Sequence, residues 1–142
     1  MRILLATLLC CFPLAADLAQ VRAEPNLEKR SRAALELADR SLKASRQAYS
    51  AGDTQQAAAL LDEVGQSVDL AETSLKATNK NPIKSPKHFK HAEIKTVELL
   101  RKIEAFSQDM SVDDRPMLEK VKEIVQGTHD RLLQGIMMGK KK

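Results

Sequence analysis

Apolar residues recur at every third or fourth position along four stretches of this chain, which is the spacing of one face of an α-helix. The stretches cover residues 27–50, 54–78, 86–109 and 115–138. The second stretch is the most regular, because its apolar residues alternate by four and three: Ala57, Leu61, Val64, Val68, Ala71 and Leu75. No stretch shows the strict alternation of a half-buried strand. The pattern therefore predicts an all-α protein with four helices of similar length.

Residues that favour helix ends stand at the predicted boundaries. A short polar side chain at the N-cap accepts a hydrogen bond from the first turn of a helix. The predicted N-caps of the four helices are, in order, Asn26, Asp53, Ser85 and either Asp113 or Asp114. Gln56 lies three residues after Asp53 and completes a pattern like a capping box. Gly52 takes a left-handed conformation without steric cost and is expected to end the first helix.

Four helices of equal length, each with one apolar face and short connections, pack economically as a bundle. We predict a single domain over residues 24–142, a four-helix up-down-up-down bundle with antiparallel neighbours, built from two helical hairpins and ending in a short basic tail. Two separate αα-hairpins, or a dimer that shares its core, are the alternatives. The pattern therefore leaves open whether the protein is a monomer or a homodimer.

The first 23 residues have the layout of a secretory signal peptide. Arg2 supplies a positive charge, Ile3 to Ala16 is uncharged and mostly apolar, and Val21 to Ala23 offers a small-residue cleavage site. The apolar run is shorter than the roughly 18 residues of a membrane-spanning helix. We therefore predict that residues 1–23 are cleaved, that no transmembrane segment remains, and that the protein is exported and either periplasmic or secreted.

Composition excludes several classes of activity. Cys10 and Cys11 both lie in the predicted signal peptide, so the mature chain has no disulfide, thiolate ligand or cysteine nucleophile. The segment Leu8 to Cys11 also resembles a lipoprotein processing site, which is the alternative to simple cleavage. The net charge is only +4, and the chain has no tryptophan, one tyrosine and three phenylalanines. These are too few aromatic residues to stack bases, so we predict no nucleic-acid partner.

The motifs of common enzymes are missing. The stretch from Gly65 to Asp69 lacks the second glycine of a nucleophile elbow and lies inside a predicted helix. The glycines are scattered, so they form no loop that could hold a phosphate. Carboxylates lie mainly opposite basic residues, as Glu98 does four residues before Lys102, which is the usual stabilising pair of a helix surface. The sequence predicts a protein that is not an enzyme and has no cofactor.

Basic residues are concentrated between the second and third helices. Residues 76–95 contain six lysines and one acidic residue, Glu93. A lysine close to an anionic membrane contributes about 1 kcal/mol to binding. The predicted contact residues for an anionic partner, either an envelope protein or an anionic envelope surface, are Lys80, Lys84, Lys87 and Lys90. The alternative is that these lysines only increase solubility.

His88 and His91 share one face at the start of the third helix, and neutral imidazole is a ligand for copper, zinc or nickel. Lys87 and Lys90 flank the pair and would repel a cation, and nearby residues do not complete a site. The main prediction is therefore that the protein has no metal site. The alternative function is a small metal-responsive or metal-carrying helical protein that uses both histidines.

Residues 48–61 resemble the turn of a tetratricopeptide repeat. The run from Tyr49 to Ala57 places Gly52 and Asp53 at the turn and a small residue in the following helix, with Leu61 beyond it. It lacks the tryptophan, the Leu-Gly pair and the closing proline of that family, and no second copy follows, although such arrays need about three repeats. The resemblance implies one helical hairpin, which a generic hairpin with the same turn residues explains equally well.

The overall layout is similar to that of small exported bacterial helical proteins without an assigned function. The resemblance implies an envelope protein and transfers no site residues. We therefore expect an exported, non-enzymatic helical protein that binds or scaffolds in the bacterial envelope.

Overall fold

The computed structural model describes residues 14–139, which form five α-helices with no strand among them. The helices are α1 (Leu14–Arg22), α2 (Leu27–Ser50), α3 (Thr54–Ala77), α4 (Lys87–Asp109) and α5 (Pro116–Met138). The all-α prediction is confirmed, and α2 to α5 begin and end within one residue of the predicted positions. The four predicted helices correspond to α2 to α5, but the four-helix bundle is not confirmed, because the described chain has a fifth helix, α1, within the predicted signal peptide. Residues 1–13 and 140–142 lie outside the described residues, so the basic tail is not described.

Three of the local boundary predictions are confirmed. The Asn26 side chain accepts a hydrogen bond from the backbone N–H of Lys29 at 2.9 Å, and Asp53 accepts one from Gln56 at 3.0 Å. Gly52 has a φ of 82°, which is the left-handed conformation expected at the end of α2. The segment that resembles a tetratricopeptide turn is thus the turn between α2 and α3.

The predicted caps of the last two helices are wrong. The residue before α4 is Pro86 and the residue before α5 is Arg115, and neither makes a side-chain capping bond. Asp114 instead accepts hydrogen bonds from the hydroxyls of Tyr49 at 2.8 Å and Ser111 at 2.9 Å. Its carboxylate joins the end of α2 to the turn before α5, because the packing of distant helices brings Tyr49 within reach.

The helices associate as two hairpins, α2 with α3 and α4 with α5, and the hairpins meet through the pairs α2–α4 and α3–α5. The members of each of these two pairs run in the same direction. Glu28 and His88 meet at the starts of α2 and α4 at 3.2 Å, and Arg46 and Asp109 meet near their ends at 2.5 Å. The predicted antiparallel neighbours are therefore found within each hairpin but not between hairpins. The connection over residues 78–86 leads from α3 to the diagonally placed α4.

The core lies along the facing apolar stripes and divides into two clusters. The larger cluster surrounds Phe106, which is fully buried and meets the ring of Tyr49 edge-on with ring centres 5.8 Å apart. The smaller cluster includes Leu75, Phe89 and Leu132 near the other end of the helices. Because the core is closely packed, the helices have defined positions relative to one another. The positions of their ends in turn set where the connecting loops lie.

α1 lies against both helices of the first hairpin. Among the side chains of α1 that are described, Leu18 is buried and Val21 packs against the smaller core cluster. Small residues on α2 and α3 bring these helices close together, as the hydrogen bond from the Ser45 hydroxyl to the Ala57 carbonyl at 2.8 Å shows. The segment predicted to be cleaved therefore contributes part of the buried surface of the described chain.

Candidate functional site

The four lysines predicted from the sequence lie at one end of the molecule. Residues 78–86 and the first turn of α4 carry them to the end where α2 and α4 begin and where α3 and α5 finish. We call this surface, composed of residues 78–90 and the last turn of α5, the basic end. The opposite end, which we call the acidic end, has acidic residues in and beside its turns: Asp53, Asp109, Asp113 and Asp114. The two ends of the molecule thus differ in charge.

The loop of the basic end is held against α5 by two close approaches. A Cβ atom at Gly135 would lie 3.4 Å from the Pro82 side chain, and one at Gly139 would lie 3.0 Å from that of Ile83. Within the loop, the Asn81 side chain accepts a hydrogen bond from the backbone of Ile83 at 2.9 Å. The absence of side chains at the two glycines lets the loop pack on the last two turns of α5, and this contact sets the position of the lysines.

Glu28 binds two of the sequence-predicted residues. Its carboxylate forms an ion pair with Lys80 and lies 3.2 Å from the Nε2 atom of His88. The hydrogen bond from Lys80 is the main cause of a lowered Glu28 pKa, and the charges of His88 and Lys87 act in the same direction. Lys80 and His88 therefore connect the loop and α4 to the start of α2.

Lys84, Lys87 and Lys90 are exposed, and none of them forms an ion pair within residues 14–139. Most of the other lysines on α3, α4 and α5 form ion pairs with acidic residues, for example Lys95 with Glu98 at 2.7 Å. The sequence-based pairing of Glu98 with Lys102 is wrong, because Lys102 pairs with Asp39 of α2. Three of the four candidate lysines thus remain available to an external anion.

His91 lies in surroundings different from those of His88. It borders an open groove of about 300 Å³ beside α2, with Glu36, Asp39 and Arg40 along its wall. Burial is the main cause of its lowered pKa, followed by the positive charges of Arg32 and Lys95. Within residues 14–139 no group of three or more histidine, cysteine or acidic residues is placed to hold a metal ion.

A cleft of about 160 Å³ opens at the basic end between α3, α5, the start of α4 and the loop. Leu75, Phe89 and Leu132 form its apolar lining, and Glu72 and Arg131 form a polar wall. The Glu72 side chain is 6% exposed and accepts two hydrogen bonds from Arg131, at 2.7 and 2.8 Å. Further contacts come from Lys76 at 2.6 Å and from the Thr128 hydroxyl at 3.2 Å. Arg131, Lys76 and Thr128 thus all bind the Glu72 carboxylate.

The periodicity of single helices did not reveal the Glu72 network. Glu72 and Arg131 lie on separate helices, α3 and α5, and Glu72 follows Ala71 of the α3 apolar stripe directly in sequence. A signal was present in the sequence, because a charged residue beside a buried stripe faces the margin of the core. Its partner depends on which helix packs there.

Glu63 is a second buried carboxylate that the sequence analysis did not identify. It is 7% exposed, and neither carboxylate oxygen has a hydrogen-bond partner. Burial raises its pKa; the nearby Ser41 hydroxyl opposes this effect, and the negative charge of Asp17 on α1 adds to it. Glu63 is therefore a buried carboxylate of the first hairpin, in which the effect of burial outweighs the opposing effects of the Ser41 hydroxyl and the positive charge of Arg40.

None of the described helices combines the length and the apolar character required to span a membrane. Comparisons of the chain with protein families, with curated proteins and with solved structures find no significant match in any of the three. The candidate site therefore rests on the residues and geometry of this chain.

Proposed function

We propose that this chain is an exported, non-enzymatic helical protein that binds or scaffolds in the bacterial envelope and contacts an anionic partner through its basic end. The observation that carries the proposal is the exposure of Lys84, Lys87 and Lys90 without ion pairs in the described chain. Three neighbouring cations without an ion pair in the described chain attract anions at short range, because salt at physiological ionic strength screens charges over about 8–10 Å.

We further propose that α2 to α5 form a four-helix bundle in which the chain direction alternates from helix to helix and α3 is joined to α4 across the diagonal, and that α1 is an additional element on its first hairpin. The alternating directions of α2 to α5 and their common core clusters support this architecture. The bundle presents its two hairpin turns at the acidic end and the connection between hairpins at the basic end. This arrangement separates the proposed contact surface from the turn that resembles a tetratricopeptide repeat.

Replacing Lys84, Lys87 and Lys90 together with glutamine should weaken binding to a soluble polyanion, such as polyglutamate or polyphosphate, by about tenfold to a hundredfold, because the three lysines together contribute up to about 3 kcal/mol. Thermal stability should change little, since exposed substitutions stay within about 0.5 kcal/mol. Lys80 is left unchanged because of its ion pair with Glu28. Equilibrium titration at low and high salt measures the effect.

A matched control removes three exposed cations outside the basic end, with the changes Lys43→Gln, Arg101→Gln and Arg115→Gln. Both variants lose the same net charge, so only the position of the charges differs between them. Equal weakening by the two variants would show a general charge effect and contradict a localised contact surface.

The export proposal makes its own prediction. The mature protein should begin at Glu24 and should be recovered from the exported fraction without detergent. Its mass and N-terminal sequence measure this directly. An intact N-terminus in the cytoplasm, or a lipid on Cys11, would contradict simple export by signal cleavage.

A further inference from the structure

The basic end also carries exposed apolar side chains. Ile83, in the loop, is 51% exposed, and Met137 and Met138, in the last turn of α5, are 72% and 68% exposed. The described chain has six exposed large apolar side chains, and three of them lie within the basic end. A protein surface normally scatters such residues singly. Their concentration beside free lysines therefore requires an explanation.

The contact between the loop and α5 places these residues on one surface. The Ile83 side chain lies against Gly139, one residue beyond Met138. Lys84 follows Ile83 directly and is exposed, so an apolar and a cationic side chain are adjacent in the loop. The same end therefore presents both exposed apolar side chains and cationic side chains.

We propose that the basic end docks on an anionic phospholipid bilayer, with Ile83 and the two methionines entering the headgroup region while Lys84, Lys87 and Lys90 contact lipid phosphates. This inference rests on the proposed function, from which it takes the lysines, and it specifies the partner. A bilayer offers an anionic layer directly above an apolar one, which matches cations around exposed apolar side chains. A soluble polyanion has no phase that could bury the apolar groups.

The test compares two double variants that change apolar side chains of similar fractional exposure. Ile83→Gln with Met137→Gln alters the basic end, whereas Ile94→Gln with Val112→Gln alters residues that are 54% and 75% exposed elsewhere. The protein is purified in the form that cells export, and its binding to vesicles of phosphatidylglycerol and phosphatidylcholine is measured by sedimentation. Thermal unfolding of each variant separates a loss of fold from a loss of binding.

We expect the basic-end variant to bind vesicles about tenfold more weakly than the parent protein, because less apolar surface leaves water. The control variant should bind vesicles as the parent does, and both variants should bind polyglutamate equally well. Part of the vesicle binding should survive at high salt, since apolar burial is not screened. Vesicles of phosphatidylcholine alone should bind weakly, because they lack the anionic charge.

The results distinguish this inference from the proposed function. If the parent protein binds neither polyglutamate nor anionic vesicles, the proposed function fails and the bilayer inference fails with it. If it binds both and the basic-end variant binds vesicles as tightly as the control variant, bilayer docking is overturned while the anionic contact stands. Binding to polyglutamate without binding to vesicles also overturns docking and favours an acidic protein or polymer.

A fluorescent probe gives an independent measurement, because the chain contains no tryptophan. The indole introduced by Met137→Trp should shift to shorter wavelength on anionic vesicles and should be quenched by brominated lipid. The indole introduced by Val112→Trp, at the acidic end, should do neither. Equal quenching of the two probes, or quenching of neither, would overturn the proposed orientation.

Discussion

Replacing Arg131 with methionine should lower the free energy of unfolding by about 2–3 kcal/mol, because it removes the bidentate partner of a buried carboxylate. Glu72 would keep Lys76 and Thr128 as partners, which limits the loss. The long apolar side chain of methionine retains much of the packing of the arginine stem. Urea unfolding at neutral pH measures the change.

The Arg131→Met variant should also lose part of its acid sensitivity. Burial by itself raises the pKa of Glu72, but the hydrogen bonds from Arg131 and Lys76 outweigh it and hold the pKa below its ordinary value of 4.5. A lowered pKa contributes stability that is present above the unfolded value and is lost as pH falls through the folded value. The stability difference between parent and variant should therefore be largest above pH 4.5 and shrink in stronger acid.

Lys76→Met is the matched control for this network. Lys76 also pairs with Glu72, but its side chain is 61% exposed, and exposed pairs contribute about 0–1 kcal/mol. Its loss should therefore cost less than that of Arg131. Equal costs for the two changes would contradict the view that Arg131 is the principal partner of the buried carboxylate.

Replacing Glu63 with methionine should raise the free energy of unfolding of the full-length chain by about 1–3 kcal/mol, because it removes a buried polar group without a hydrogen-bond partner. Methionine has a similar length and a flexible side chain, so it fills the space with little strain. Glu119→Met, at an exposed position of α5, should change stability by less than about 0.5 kcal/mol.

The gain in stability from Glu63→Met should depend on pH. Ionisation of Glu63 destabilises the parent protein, whereas ionisation of Glu72 stabilises it. The pKa of Glu63 is raised in the folded state, so folding favours the protonated carboxyl. The free energy of unfolding therefore decreases as pH rises through the pKa of the folded state. The advantage of the variant should be largest at neutral pH and decrease as pH falls toward the unfolded value. Glu63→Gln removes the charge and should abolish this dependence. A constant advantage across the whole range would show that the charge has no role.

Glu63 also connects the export proposal with stability. Asp17, which adds to the raised pKa of Glu63, belongs to α1, and the proposed cleavage removes that helix. Cleavage would therefore remove one source of the unfavourable charge near Glu63. It would also remove the buried side chain of Leu18 from the first hairpin.

The sequence by itself determined the features that depend on residues three or four positions apart. The periodicity located α2 to α5 within one residue, and the caps at Asn26 and Asp53 act within a single turn. These features are readable because the hydrogen bonds and side-chain neighbours of a helix are local. The cluster of lysines was visible for the same reason, since its members are close in sequence.

The tertiary structure decided which distant residues meet. It placed α2 beside α4 in the same direction and paired Lys80 with Glu28. It also brought the Asp114 carboxylate to the Tyr49 hydroxyl, to which it is hydrogen-bonded, rather than to the N-cap of α5. It also buried Glu63 and Glu72, whose positions beside the α3 apolar stripe indicate the margin of the core but do not show which helix covers them. Periodicity shows which face of a helix is apolar, but the partner of that face and of its polar margins is set by how the helices pack against one another.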